Sequence, residues 1–593
     1  MSAVADTYVL LRAFVDELAR CGMRHACTAP GSRSAPLVLS LVREPRLRCH
    51  SHVDERCAGF FALGLAKRSG VPAAVACTSG TAVAELAPAV IEAHEARVPL
   101  LVLSADRPAE LRENGAGQAI DQLKLFGSAA KWFFEVSLEG GSGPDQLRFI
   151  RTLACRAYWT ALQDRPGAVH LNFPLREPLV IGEPLPEDTS GRVDGHPHVR
   201  RSPATPASAA AEQELRELVG EARRGVLVAG RHERADGLAR SAAEFAHAAG
   251  WPLLADPLSG ARRGEAAVAH YDALLRDERF ASTHEPDVVV RVGDLPVSKP
   301  LRSWLAGLGS TAQVALDPEG AWQDPSSIVS RSLALDPAGT LGRLAGFADG
   351  HASQAGGEHE WLQEWRAADE LAAEALLGVL DGHAVGEPAV AAELGVLLPD
   401  EATLFVASSM PVRDIESFWP VRERPPRVLC NRGANGIDGT VSAAFGAAAA
   451  ATADEPVALL IGDVALAHDI GGLLAARRLG IALTIVLVNN GGGGIFDFLP
   501  VASVAEHELY ETHVATPTGL DFGRAAELYG LQHRLADDVR GFRDALEQAL
   551  GAPHCTIVEV RSPRAGNVEV HRRIWEATAR TLSPQAAGAG PGA

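Results

Sequence analysis

Two short polar clusters interrupt apolar runs in the last third of the chain. Asp463 ends VALLIGD (457–463), and Asn489 and Asn490 end LTIVLVNN (483–490), with Gly491 to Gly494 directly after. One carboxylate, one amide oxygen and a bare glycine carbonyl make a hard oxygen half-shell suited to Mg²⁺, which a diphosphate and water would complete. Glycines let backbone approach phosphate closely. The pair Gly462-Asp463 alone reads as a strand end before a turn. Followed about 26 residues later by two asparagines and four glycines, it reads as a site. A second candidate is Glu55 in HVDERCAGFFALGLAKRSG (52–70), where a strand pattern gives way to a helix. A carboxylate there can cap the helix, or share a proton with a ligand in a pocket of low dielectric.

The elements that position these residues follow from periodicity. Residues 1–182 alternate helical stretches with short buried strands at 25–30, 47–53, 73–79, 99–106 and 168–173. Residues 211–345 repeat the pattern with strands at 225–230, 287–294 and 313–317, and residues 361–580 with strands at 403–409, 427–430, 457–463, 483–490 and 555–560. Such alternation predicts an α/β protein of three doubly wound parallel-sheet domains. The stretches 183–210 and 346–360, rich in Pro, Ser and Gly, read as linkers, and 581–593 as a disordered tail. The first and third domains look alike, as if one unit had been used twice. Asp463 and Asn490 then sit at the carboxyl ends of adjacent parallel strands, where open α/β sheets bind ligands.

Composition narrows the function. The chain has 593 residues and a formal charge of −19, a poor match to nucleic acid or to an anionic membrane surface. Any anionic ligand must be held by a local group of cations. Only Lys67, Lys124, Lys131 and Lys299 are lysines among 55 basic residues, so arginine carries that task. No apolar run reaches the about 18 residues of a membrane span. Val4, Tyr8, Leu11, Val15 and Leu18 follow helical spacing, which marks a helix of the fold and not a leader. The eight cysteines form no CxxC and read as buried thiols of a cytoplasmic protein. GxxxxGK[ST], GxGxxG after residue 225 and HExxH are missing, which argues against a P-loop NTPase, a dinucleotide-binding central domain and a zincin.

Taken together, Glu55, Gly462-Asp463 and the NN-glycine segment resemble the thiamine diphosphate-dependent enzyme superfamily over essentially the whole chain. The resemblance implies a pyrimidine-binding domain (1–182), a central domain and a diphosphate-binding domain (361–580). It gives Glu55 the hydrogen bond to the aminopyrimidine ring that activates thiamine diphosphate. Asp463, Asn490 and the Gly492 carbonyl take the Mg²⁺-diphosphate role, in which Mn²⁺ can substitute. Many members read GDG where this chain reads Gly462-Asp463-Val464. Four ordered stretches, APGSRSAPL (29–37), LSADRPAELRENGAGQAIDQ (103–122), NRGANGIDG (431–439) and NNGGGGIFDFLP (489–500), are similar to one branch. That branch decarboxylates 2-oxoglutarate and adds the succinyl semialdehyde carbanion to isochorismate in menaquinone biosynthesis. Gly491 stands where the branch often has a third asparagine.

The resemblance implies further roles. Arg413 and Arg432 hold the succinyl carboxylate, with Ser409 facing the same pocket. Ser32, Arg33, Arg107, Gln118 and Lys299 hold isochorismate. Ile437 props the cofactor in its bent shape, and Ile495, Phe496 and Leu499 are apolar walls. It also implies a homodimer or homotetramer whose active sites lie between chains, with Glu55 and Asp463 of one site from different chains. Two alternatives stay open: another thiamine diphosphate-dependent 2-oxoacid decarboxylase or carboligase, and a homologue that binds without turnover.

Overall fold

Each short apolar run followed by a helix has become a strand of one of three parallel sheets. The structure, a computed structural model, describes residues 3–182, 184–201, 208–355, 360–381 and 385–583. The first sheet contains β1 (His25–Thr28), β2 (Arg48–Ser51), β3 (Ala73–Cys77), β4 (Leu100–Asp106), β5 (Ala130–Glu135) and β6 (Ala168–Pro174), in the order β2-β1-β3-β4-β6-β5. The second contains β7 (Gly225–Ala229), β8 (Leu253–Ala255), β9 (Val288–Val292), β10 (Ala312–Leu316) and β11 (Arg331–Leu333), in the order β11-β10-β9-β7-β8. The third contains β12 (Thr403–Val406), β13 (Arg427–Cys430), β14 (Val457–Gly462), β15 (Thr484–Asn489), β16 (Gln532–Ala536) and β17 (Thr556–Arg561), in the order β13-β12-β14-β15-β17-β16. The first and third sheets therefore share one strand order, as their sequence patterns suggest.

Four strands escape the periodicity: β5, β8, β11 and β16. All four lie at sheet edges, where one-sided pairing relaxes the demand for a continuous apolar run. The break expected at 346–360 also differs. Its described part belongs to two helices, Pro337–Ala355 and Glu360–Leu380. The first is held by Leu341, Leu344 and Ala348, buried at helical spacing, a face that its Gly and Ser content masks. The second serves two cores: Trp361, Trp365 and Ala372 pack in the second domain, Leu376 and Val379 in the third. Residues 184–201 form neither helix nor strand and are strapped to the first domain through Arg151, which bonds Asp188 and Ser190. The final helix, Arg564–Leu582, takes up the first two residues of the expected tail. Residues 584–593 of that tail lie outside the described residues. All eight cysteines are free thiols, and seven are buried.

Two of the contacts between the first and third domains bear most directly on the site. Helix Glu55–Ser69 crosses helix Thr440–Ala450 at glycines on both sides. A Cβ on Gly64 would meet the Ala443 carbonyl oxygen at 1.9 Å, and one on Gly446 the Phe61 carbonyl oxygen at 2.1 Å. Nearby, the buried Lys67 ammonium donates to Glu233 and to the Cys430 carbonyl, both at 2.7 Å, so one cation touches all three domains. Gly64→Ala is expected to destabilise the fold by about 1–3 kcal/mol. Gly378→Ala, on a helix where a Cβ meets nothing within 4 Å, is expected to be neutral or slightly stabilising. Thermal unfolding of the two variants checks this.

Next to Phe61, the rings of His25, His50 and His52 form a cluster at the β1–β2 edge. Burial, followed by neighbouring positive charge, pushes His25 and His52 down to about 4 and His50 to about 3. Folded histidines thus stay neutral while unfolded ones take up protons below about 6.5. Stability is therefore lost as pH falls from about 6.5 towards 4. The melting temperature should fall over that window, and fall less in a His25→Asn/His50→Asn variant.

Candidate active site

The carboxyl ends of β12, β14 and β15 open onto one cavity of about 140 Å³. It is lined by Ser408, Ser409, Ile437, Gly462, Asp463, Asn490, Gly492 to Gly494, Ile495 and Phe496, among others. Asp463 begins a short helix directly after β14 and is 2% exposed. Burial raises its carboxyl above the usual range. Its Oδ2 accepts the Gly492 amide at 2.9 Å, which draws the glycine segment over the end of β14. Gly492 has φ +138°, and a Cβ there would meet the Ala515 carbonyl oxygen at 2.7 Å. Only glycine fits this turn. Gly491 has φ +75° with nothing within 4 Å of a Cβ, so the asparagine often found at this position in the similar branch has space but a strained backbone.

Asn490 carries the most specific signal in this cavity. Its Nδ2 donates to Glu387 Oε1 at 2.8 Å, while Oδ1 is buried without a hydrogen-bond partner. A buried orphan acceptor calls for an absent donor or cation. Together with the Asp463 carboxylate and the glycine cradle, the residues present fit a divalent cation and a diphosphate.

Ser409 links this cavity to a group of arginines. It sits at φ +76°, capping helix Met410–Phe418, and its carbonyl accepts the Arg413 guanidinium. Burial and then the charges of Arg432 and Arg302 push Arg413 below its usual range, and burial and Arg432 do the same to Arg302. Among the described residues none of these three arginines forms an ion pair. Arg432 and Arg302 line a neighbouring polar cleft with Asp256 and Asn435. Arg302, from helix Lys299–Gly307 of the second domain, was not singled out by any motif. Its signal was its place three residues after Lys299, on the same helical face. Lys299 itself is exposed at the first position of that helix.

A second group forms in the first domain. Arg107 donates to the Ser79 hydroxyl, and Ser79 and Gln118 bond reciprocally, at 3.0 Å to the Gln118 carbonyl and 2.9 Å to the Ser79 carbonyl. Arg33 is buried, donating to the Leu175 carbonyl at 2.8 Å and to Glu177 at 3.1 Å. After burial, its charge is the main influence holding Arg107 down. Ser32 is exposed in the loop just before Arg33. The structure thus brings Arg33, Arg107 and Gln118 into one neighbourhood, with Ser32 at its rim.

Glu55 lies outside the cavity. The helix it opens is capped by Asp54, which accepts the Cys57 amide at 3.1 Å. Glu55 is thereby free of the capping task. It is half-buried, and burial followed by Asp54 and Glu85 raises its carboxyl above the usual range. Leu499 also lies outside, 47% exposed. Sequence reasoning passed over Glu387 and Asp414, both of which line the cavity. Burial drives both carboxyls upward, and in Glu387 the neighbouring Asp414 charge adds to it.

Three parallel-sheet domains with an oxygen-and-glycine cradle at the strand ends are the architecture of a thiamine pyrophosphate enzyme. Residues 10–125 match the thiamine pyrophosphate enzyme N-terminal TPP binding domain, residues 193–406 the middle domain of thiamine pyrophosphate and residues 412–560 the C-terminal TPP binding domain. The fold is similar to that of a thiamine diphosphate-dependent 4-hydroxybenzoylformate decarboxylase of Rhodococcus jostii, with a TM-score of 0.72 over 93% of this chain and 99% of that one, at 19% identity. The chain is 44% identical to the 2-succinyl-5-enolpyruvyl-6-hydroxy-3-cyclohexene-1-carboxylate synthase of Geobacillus kaustophilus, over 97% of this chain and 98% of that one. It is 43% identical to the enzyme of the same name from Chloroflexus aurantiacus, over 96% of each. The chain belongs to the 2-succinyl-5-enolpyruvyl-6-hydroxy-3-cyclohexene-1-carboxylate synthase family. Among the described residues no helix is long and apolar enough to cross a membrane.

Proposed function

We propose that this protein decarboxylates 2-oxoglutarate and adds the resulting four-carbon unit to isochorismate, using thiamine diphosphate and Mg²⁺. The observation that carries the reading is the join at Ser409: the oxygen-and-glycine cavity on one side and, on the other, an arginine group with no ion pair among the described residues. When bound, the cofactor supplies a nucleophilic carbon and a sink for the charge left by departing CO₂. The rest is the work of side chains. Asp463, Asn490 and the Gly492 carbonyl hold the cation and the diphosphate, and Ile437 supports the cofactor from the cavity wall. Glu55, its carboxyl raised by burial, shares a proton with the aminopyrimidine ring nitrogen. Arg413 and Arg432 pair the far carboxylate of 2-oxoglutarate, with Ser409 alongside. Arg33, Arg107, Gln118, Ser32 and Lys299 hold the carboxylates and hydroxyl of isochorismate. Ile495, Phe496 and Leu499 keep the reacting carbon dry, which guards it against stray protons.

The reading includes a homodimer or homotetramer with active sites between chains. Its support is the position of Glu55 outside the Asp463 cavity of its own chain and the exposed Leu499 beside that cavity. The pairing of first and third domains across chains would bring these together.

Purified protein with thiamine diphosphate, Mg²⁺, 2-oxoglutarate and isochorismate should consume isochorismate and give the adduct by mass detection. Omission of any component should stop this, and Glu55→Gln should lower kcat by about 10²–10⁴-fold. CO₂ release with isochorismate untouched would mean a different acceptor, as in another 2-oxoacid decarboxylase or carboligase. Neither reaction, in protein that binds cofactor, would mean a homologue without turnover.

A further inference from the structure

The cation reading of Asn490 depends on which way its amide points. Oxygen and nitrogen of an amide are nearly the same size, so packing alone does not choose between them, and the hydrogen-bond partner does. Among the described residues the Asn490 side chain has one such partner, Glu387 Oε1, which takes Nδ2 at 2.8 Å and leaves Oδ1 as the buried orphan of a residue that lines the cavity. Glu387 is 4% exposed at the first turn of helix Glu387–Leu397, and it lines the same cavity. It is braced in turn. Its carboxyl neighbours that of Asp414 on the wall of the same cavity, and Asp414 Oδ1 lies 3.1 Å from His571 Nε2. The His571 ring is walled by Phe418, Phe498 and Trp575. Two buried carboxyls and a buried histidine in a row are costly to keep unless they hold something in place.

We propose that Glu387 is a positioning residue that locks the Asn490 amide with Oδ1 toward the divalent cation, and that Asp414 and His571 brace Glu387 for this task. The inference rests on the reading of Asn490 as a cation ligand. Asp414 adjoins Arg413 on helix Met410–Phe418, so the same row of polar groups ties the cation end of the site to the carboxylate end. Partners that orient a ligand in this way typically govern metal affinity by 10–100-fold.

The test is a titration of the full-length protein with Mn²⁺, read by electron paramagnetic resonance in the presence of thiamine diphosphate. Glu387→Met removes the acceptor and should weaken Mn²⁺ binding by about 10–100-fold. Glu387→Gln can still present an oxygen to Asn490 and an amide to Asp414, and should restore binding to near the wild-type value. Thermal unfolding without cofactor reports on folding. If Glu387→Met does not fold, Glu387→Asp, which keeps the carboxyl but withdraws it from the amide, should show the same loss. Wild-type Mn²⁺ affinity in Glu387→Met or Glu387→Asp overturns the proposal, as does a failure of Glu387→Gln to restore binding. Asp463→Asn and Asn490→Ala separate the two levels. If both leave Mn²⁺ binding unchanged, the cation site itself is wrong and the proposal falls with it. If both weaken binding while Glu387→Met does not, only the role of Glu387 falls.

Discussion

Arginines that repel one another set the terms for the rest of this structure. Arg302, Arg413 and Arg432 lie near enough for their charges to act on each other, and no ion pair relieves them among the described residues. In the first domain Arg33, although paired with Glu177 at 3.1 Å, also repels Arg107. A chain with formal charge −19 has ample carboxylates to neutralise these groups and does not use them all. Keeping like charges close costs free energy, and under the proposed function an arriving carboxylate would return it by replacing repulsion with bidentate pairing. The fold must supply the rigidity that stops the arginines from swinging into solvent.

That rigidity comes from the way three sheets are joined. Arg302 stands on a helix of the second domain, while Arg413 and Arg432 follow β12 and β13 of the third. Their mutual position depends on the interface between domains. Lys67, donating to Glu233 and to the Cys430 carbonyl, fixes the strand end that leads into Arg432. The glycine crossing of helices Glu55–Ser69 and Thr440–Ala450 sets the first domain against the third with backbone in contact with backbone. Side chains at such a crossing would push Glu55 and the loop after β13 apart. The two devices are complementary: one is polar and directional, the other depends on the absence of side-chain volume.

The central strands and the polar residues at their ends were legible because both obey strong local rules. Buried central strands are built mainly from apolar runs, and Asp463 and Asn490 stand out because they close such runs with polar groups. Edge strands such as β5 and β16 carry no such requirement, and the helix over 337–355 hides a narrow apolar stripe among Gly and Ser. Glu387 and Asp414 were illegible for a different reason. A buried carboxyl in an ordinary helix looks like a solvated surface residue until the chain is folded around it. Arg302 was one arginine among many, and only its proximity to Arg413 and Arg432 gives it meaning. Glu55 was legible as a strand-to-helix residue, yet the structure was needed to show that Asp54 caps the helix and leaves Glu55 free.

The central claim is that the arginine group reads the far carboxylate of the donor substrate. The most direct measurement is kcat/KM for 2-oxoglutarate against 2-oxobutanoate and pyruvate, which lack that carboxylate, in wild type and in Arg413→Gln/Arg432→Gln. A site built around unpaired cations rejects a ligand that leaves them unpaired by about 10⁴-fold. The account predicts a wild-type preference for 2-oxoglutarate of that order, collapsing in the double variant mainly through the 2-oxoglutarate value. Comparable use of the three 2-oxoacids by the wild type, or a preference unchanged in the double variant, would contradict it.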